Sequence, residues 1–139
     1  PDLGMRDRPD GPAGARRIIT HPTAPELIDS VIRFIEERAA PQLKDRDAFL
    51  CRVAVNALAA VKREIQQGPA AEDAARERLR ALIGRDEDFE TLNAALCDGI
   101  ADGSIDPLDP AVIAHMKASI IDQVRIDQPQ YAGLKTLTA

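Results

Sequence analysis

An all-α fold, a compact five-helix bundle around a central buried helix, is what the 139-residue sequence predicts, on three observations. The apolar residues are aliphatic, with no Trp, one Tyr and three Phe among many Leu, Ile, Val and Ala, which suits helices better than strands. Residues 47–67, DAFLCRVAVNALAAVKREIQQ, are the longest stretch that reads only as helix. At about 100° per residue they carry Leu50, Val53, Ala54, Ala57, Leu58, Val61 and Ile65 on one broad face. The other helical stretches are each bracketed by a cap or a stop signal. A chain of this length buries roughly two thirds of its unfolded surface, enough for one core without metal or disulfide support.

Residues 1–20 carry three Pro and three Gly among Arg and Asp, too little apolar surface to offset the entropy of ordering them. They read as a flexible arm or linker, either the head of a free chain starting at Met5 or a join to a fused one, ahead of a single helical domain over 21–139. Ile18 and Ile19 could pin the arm to that domain. Thr23, Pro25 and Glu26 form a capping box with proline in the first turn and predict a helix over 24–40, with Leu27, Ile28, Val31, Phe34 and Ile35 facing inward. A short connection past Pro41 makes this helix an antiparallel neighbour of the rod at 46–67. Between Phe49 and Val61 only Arg52 and Asn56 are polar, and a helix apolar almost all round is buried on more than one side.

Gly68-Pro69 is expected to end the rod. The next helix, 71–83, has a thin stripe of Ala75, Leu79, Leu82 and Ile83 on a charged surface and is expected to lie on the outside until Gly84 stops it. Asp86, Glu87 and Asp88 favour the start of a helix over 88–101, whose apolar face is Phe89, Leu92, Leu96, Cys97 and Ile100. Asp109-Pro110 opens the last, 110–127, with Val112, Ile113, Met116, Ile120 and Val124 inward, and Pro129 closes it.

Net charge is -5, a sign that repels phosphate backbones, so nucleic acid is not an expected partner. Cys51 and Cys97 lie in predicted helices with no CxxC or nearby His and read as small buried hydrophobes in a reducing compartment. No secretory or membrane-spanning pattern is present, so a cytoplasmic location is expected. No GxSxG, Walker loop, GxGxxG or metal-spaced cluster occurs, and neither catalytic residues nor a cofactor or metal site is expected. The stretch 98–109, DGIADGSIDPLD, imitates a calcium loop, but Ile100 and Asp109 occupy positions that need an oxygen donor and a Glu. Asp106 and Asp109 read better as turn and cap residues. His115 flanks the last helix's stripe and is expected to bridge core and solvent.

Arg52, Asn56 and Arg63 form a polar line on the back of the rod. Either they are satisfied within the fold, as buried polar groups usually are, or they are offered to a partner. Taken together, HPTAPELIDSVIRFIEE, FLCRVAVNALAAVKREIQQGP, LNAALCDGIADGSID and DQPQY resemble, over about residues 20–132, a family of small all-helical bacterial proteins of unknown function. Members are encoded beside aminoglycoside-phosphotransferase-like kinases and acyl-CoA dehydrogenases, or fused to the kinase. Its best signals are RVAVNAL from Arg52, Gly68-Pro69, and Pro129 to Tyr131. The resemblance implies a non-catalytic accessory subunit for a kinase that phosphorylates hydroxyacyl-CoA and prepares the hydroxyl for elimination in acid catabolism. Nothing in the chain supplies the Asp and Asn set that phosphoryl transfer itself needs. Arg52, Asn56, Arg63, Asp127, Pro129 and Tyr131 are the candidate partner- or ligand-binding residues. A stand-alone acyl-thioester-binding module holding an acyl-CoA between its helices is the second reading. A small lyase or hydrolase using Arg52 and Asp127 is the third, and self-association stays open.

Overall fold

Thr23 starts the first helix in the way its spacing from Glu26 predicts: its hydroxyl accepts the Glu26 N–H at 3.3 Å and its own N–H donates to the Glu26 carboxylate at 2.6 Å. The computed structural model describes residues 21–138, so the arm and the contact suggested for Ile18 and Ile19 lie outside the described residues. Helix α1, Ala24–Phe34, passes through a π-helical turn, Ile35–Ala39, and a 3-10 turn, Ala40–Gln42, into the long helix α2, Asp45–Ile83. Helices α3, Phe89–Asp102, and α4, Pro110–Asp127, follow, with a last single turn, α5, Leu134–Leu137. The fold is all-α, with no strand among the described residues. No described helix is long and apolar enough to cross a membrane.

The five helices are not the five of the sequence pattern, because Gly68-Pro69 does not end the rod. Helix α2 runs through Pro69 for 39 residues, about 58 Å at 1.5 Å per residue. A proline inside a helix removes one N–H and crowds the preceding turn, at roughly 3 kcal/mol. Contacts on both sides of it outweigh that loss. Lys62 is bonded to Asp29 of α1 at 2.7 Å, Arg63 to the end of α4, and Ala75 and Leu79 are buried against α3 and α4. The helix stops instead at Gly84, whose φ of 75° is the left-handed conformation that Gly adopts without strain.

Helices α1, α3 and α4 all pack on α2, and α5 on α4. Burial is concentrated at one end of this axle. Leu79, Leu92, Leu96 and Val112 form the core, with Leu82, Ile83, Phe89, Ile100 and Ile105 packed around it. The segment expected on the outside, 71–83, is therefore the part of α2 that carries the core, and Leu79 is 0% exposed. Its apolar stripe is thin, but two helices cover it. The 46–67 half, expected to be the buried centre, has only α1 as a full-length neighbour, and Leu50, Val53, Val61 and Ile65 remain 42–51% exposed. One neighbour covers one side of a helix.

Three further faces depart from expectation. On the first helix Leu27, Val31 and Phe34, expected inward, are exposed, and Ile28, Ile32 and Ile35 are half-buried in their place. In α4 the inward line is Val112, His115 and Ile126, with Ser119 and Asp122 half-buried between them, while Ile113, Met116 and Ile120 point outward. Arg78 of α2 selects that line by binding Ser119 and Asp122. On α3, Leu92 and Leu96 are buried, but Cys97 is exposed and Cys51 only half-buried; both thiols are free.

Candidate partner-binding surface

The polar line on the back of α2 is real, and its members have different fates. Arg63 donates from Nε to the Ile126 carbonyl and from Nη2 to the Asp127 carbonyl at 3.3 Å. The last carbonyls of a helix lack intrahelical donors and carry its negative dipole end, so a guanidinium placed there satisfies both. Arg63 is thus a clamp between α2 and the end of α4. The Asp127 carboxylate accepts from Gln123 Nε2 at 3.0 Å, a bond within α4. Arg52 and Asn56 are exposed, and neither makes a hydrogen bond or ion pair among the described residues; the Arg52 guanidinium lies 5.9 Å from the centre of the Phe49 ring. Among the described residues, no neighbouring acid or carbonyl satisfies these two side chains.

Beyond Asp127 the chain turns through Pro129, and the Tyr131 N–H closes the turn on the Gln128 carbonyl at 2.9 Å. The Tyr131 ring lies against Gly133, where any Cβ would come within 2.6 Å of it, and the residue is 51% exposed. A groove of about 420 Å³ borders it, with Arg125 and Lys135 on the rim. The fold thus brings Arg63, Asp127 and the Pro129–Tyr131 turn to one place. Asn56 and Arg52 stand about 10 and 16 Å farther along the axis of α2, so Arg52 and Asp127 do not share a reacting centre as the third reading required.

The sequence reading missed a polar column between α2 and α4. Arg78 Nη2 donates to Ser119 Oγ at 3.2 Å and lies 3.8 Å from the Asp122 carboxylate, which also faces Arg125 at 3.5 Å. His115 is buried in the adjoining turn of α4, with Nδ1 unpartnered, rather than bridging to solvent. The signal was present: His115, Ser119 and Asp122 follow the i, i+4, i+7 spacing of a single helix face. A cavity of about 190 Å³ opens beside the column, with Glu64, Glu72, Ser119 and Asp122 on its walls.

Burial, and then the neighbouring Arg78 cation, push the His115 imidazole below its ordinary pKa of 6.5. The unfolded chain therefore takes up this proton before the folded one, so the stability present above about pH 6.5 is lost as the pH falls. Melting temperature is expected to drop between about pH 7.5 and 5.5, and His115→Leu to flatten that drop; an equal drop in the variant would exclude His115 as its source. The Glu26 and Asp88 carboxyls, held low by the Thr23 and Thr91 N–H groups, and that of Asp102, held low by Ser104, titrate in a more acid range.

In the calcium-like stretch the carboxylates serve the backbone. Asp102 accepts from the Ser104 N–H at 2.8 Å, Asp106 from Leu108 at 2.9 Å, and Asp109 caps α4 through Ala111 at 2.7 Å. Among the described residues no group of three His, Cys, Asp or Glu side chains is placed to hold a metal. A separate apolar groove of about 340 Å³ runs along the outside of α4 past Ile113, Met116, Ile120 and Leu137, with Lys117 beside it; it contains none of Arg52, Asn56 or Arg63.

A family model described as a domain of unknown function (DUF6285) matches residues 41–131, which include all six candidate residues. No curated protein and no solved structure matches the chain.

Proposed function

The chain belongs to the DUF6285 family, and on that premise we propose that it is a non-catalytic accessory partner of an aminoglycoside-phosphotransferase-like kinase acting on hydroxyacyl-CoA. The observation that carries the reading is the row of Phe49, Arg52 and Asn56 on α2. These side chains are exposed, and Arg52 and Asn56 have no partner within the described chain. An exposed Arg over an aromatic ring, together with an exposed Tyr131 past the end of α4, is the residue chemistry of protein-binding hot spots. Arg52 presents a planar fork of donors suited to a carboxylate on the kinase. Arg63 and Asp127 support the face from below by fixing the end of α4.

The test is an affinity measurement between the purified chain and the kinase of this class from its own organism. Arg52→Ala and Tyr131→Ala are each expected to weaken the complex about tenfold or more while leaving the chain's own stability within about 0.5 kcal/mol. Undiminished affinity in both variants, or acyl-CoA turnover by the chain alone, would count against the proposal.

The groove on α4 favours one second reading, an acyl-thioester-binding module. An aliphatic tail would lie along Ile113, Met116 and Ile120, with Lys117 near the nucleotide phosphates. Calorimetric titration with a long-chain acyl-CoA, and loss of that binding in Met116→Glu, would favour it over the first.

A further inference from the structure

Helix α1 and the first half of α2 each carry two apolar lines. The half-buried pair, Ile28 and Ile32 on α1 with Ile35 opening the π-helical turn, and Cys51, Val55 and Leu58 on α2, lies between the two helices, where Lys62 also reaches Asp29. The exposed pair is Leu27, Val31 and Phe34 on α1, and Leu50, Val53, Ala57, Val61 and Ile65 on α2. In both helices the exposed line sits about 100° from the contact line, in the same sense: Leu27, Val31 and Phe34 each precede a contact residue by one, as do Leu50 and Ala57. The same offset in two antiparallel helices puts both exposed lines on one side of the hairpin. Two helices with a second apolar face at about a right angle to their mutual contact are half of a four-helix bundle.

We propose that the other half is the same hairpin of a second copy of this chain. Three features single out self-association. The α2 stripe is nearly symmetric about its smallest member, Ala57: an antiparallel two-fold there pairs Val53 with Val61 and Leu50 with Ile65, the reciprocal pairing of a closed dimer. Arg46 and Glu64 lie on this face, have no ion-pair partner among the described residues, and come within a turn of each other across the same axis. The seven large side chains of the two lines, 42–61% exposed, leave on the order of 600 Å² of apolar surface. That is the upper end for a monomer's largest patch, and with a polar rim it approaches the roughly 800 Å² per partner of a stable interface. Residues 1–20, rich in Arg, Asp, Pro and Gly, offer few side chains to cover it. Arg52 and Asn56 lie outside this face, on the flank beyond Phe49, so a dimer leaves them accessible.

The full chain is expected to sediment at twice its 15.1 kDa at about 100 µM and to dissociate on dilution. Val53→Glu and Phe34→Glu are each expected to raise the dissociation constant at least 100-fold with helicity retained, since both side chains are exposed within one copy, whereas Arg52→Ala and Ile120→Glu leave the dimer intact. With Cys51→Ser and Cys97→Ser as background, Ala57→Cys is expected to form a disulfide-linked dimer on mild oxidation, because the axis brings the two positions within bonding range. A monomer at 100 µM overturns the proposal, whether residues 1–20 or a different protein covers the face. So does a dimer indifferent to both Glu substitutions, or one that Ala57→Cys does not link.

Discussion

Leu79→Ala is expected to destabilise the chain by about 3–5 kcal/mol, seen as a lower denaturant midpoint at unchanged slope. Leu79 has no exposed surface and touches the core side chains of both α3 and α4, so its removal leaves a cavity that three helices would have to close at once. Leu58, on the broad face that the pattern makes most central, is only half-buried against α1, and its truncation to Ala is expected to lose less, about 1–2 kcal/mol. A smaller loss at Leu79 than at Leu58 would mean that the core lies in the first half of α2 after all.

The second large effect is expected at Gly99. This residue is buried in α3 at the point where the chain folds back, and its carbonyl accepts the Ile105 N–H at 2.9 Å. A Cβ there would sit 2.5 Å from Ile105 Cδ1, 2.8 Å from its Cγ1 and 3.3 Å from Ser104 Oγ. Gly99→Ala gains roughly 1 kcal/mol in helix propensity, which offsets much of the displacement of Ile105. Gly99→Leu has no such balance and is expected to lose about 2–3 kcal/mol through overpacking. Adding Ile105→Ala should recover part of that loss, a coupling measurable in a double-mutant cycle. Simple additivity would show that Ile105 is not what fills the space.

Part of the geometry of the candidate surface was legible in the sequence. Arg52, Asn56 and Arg63 fall on one line by helical spacing, and they do form one. Their roles were not legible, because each depends on what the rest of the chain brings opposite. Arg63 meets the end of α4 and becomes a clamp; Arg52, three turns earlier, meets Phe49 and makes no polar contact among the described residues. His115, expected at the border of core and solvent, shares with Ser119 and Asp122 a face that the apolar count left out of the stripe, since counting apolar residues cannot register an Arg on the opposing helix.

By itself the sequence determined what is settled within one turn of helix. It set the all-α class, the capping box at Thr23, the acidic start of α3, the cap at Asp109 and the left-handed stop at Gly84, all settled between residues at most four apart. Tertiary structure alone decided that α2 continues through Pro69, that its second half rather than its first is buried, and that α4 turns polar residues inward. Each of these sets a local preference of a few kcal/mol against the number of helices packed on a segment. One neighbour leaves the first half of α2 half-exposed, and two neighbours bury the second.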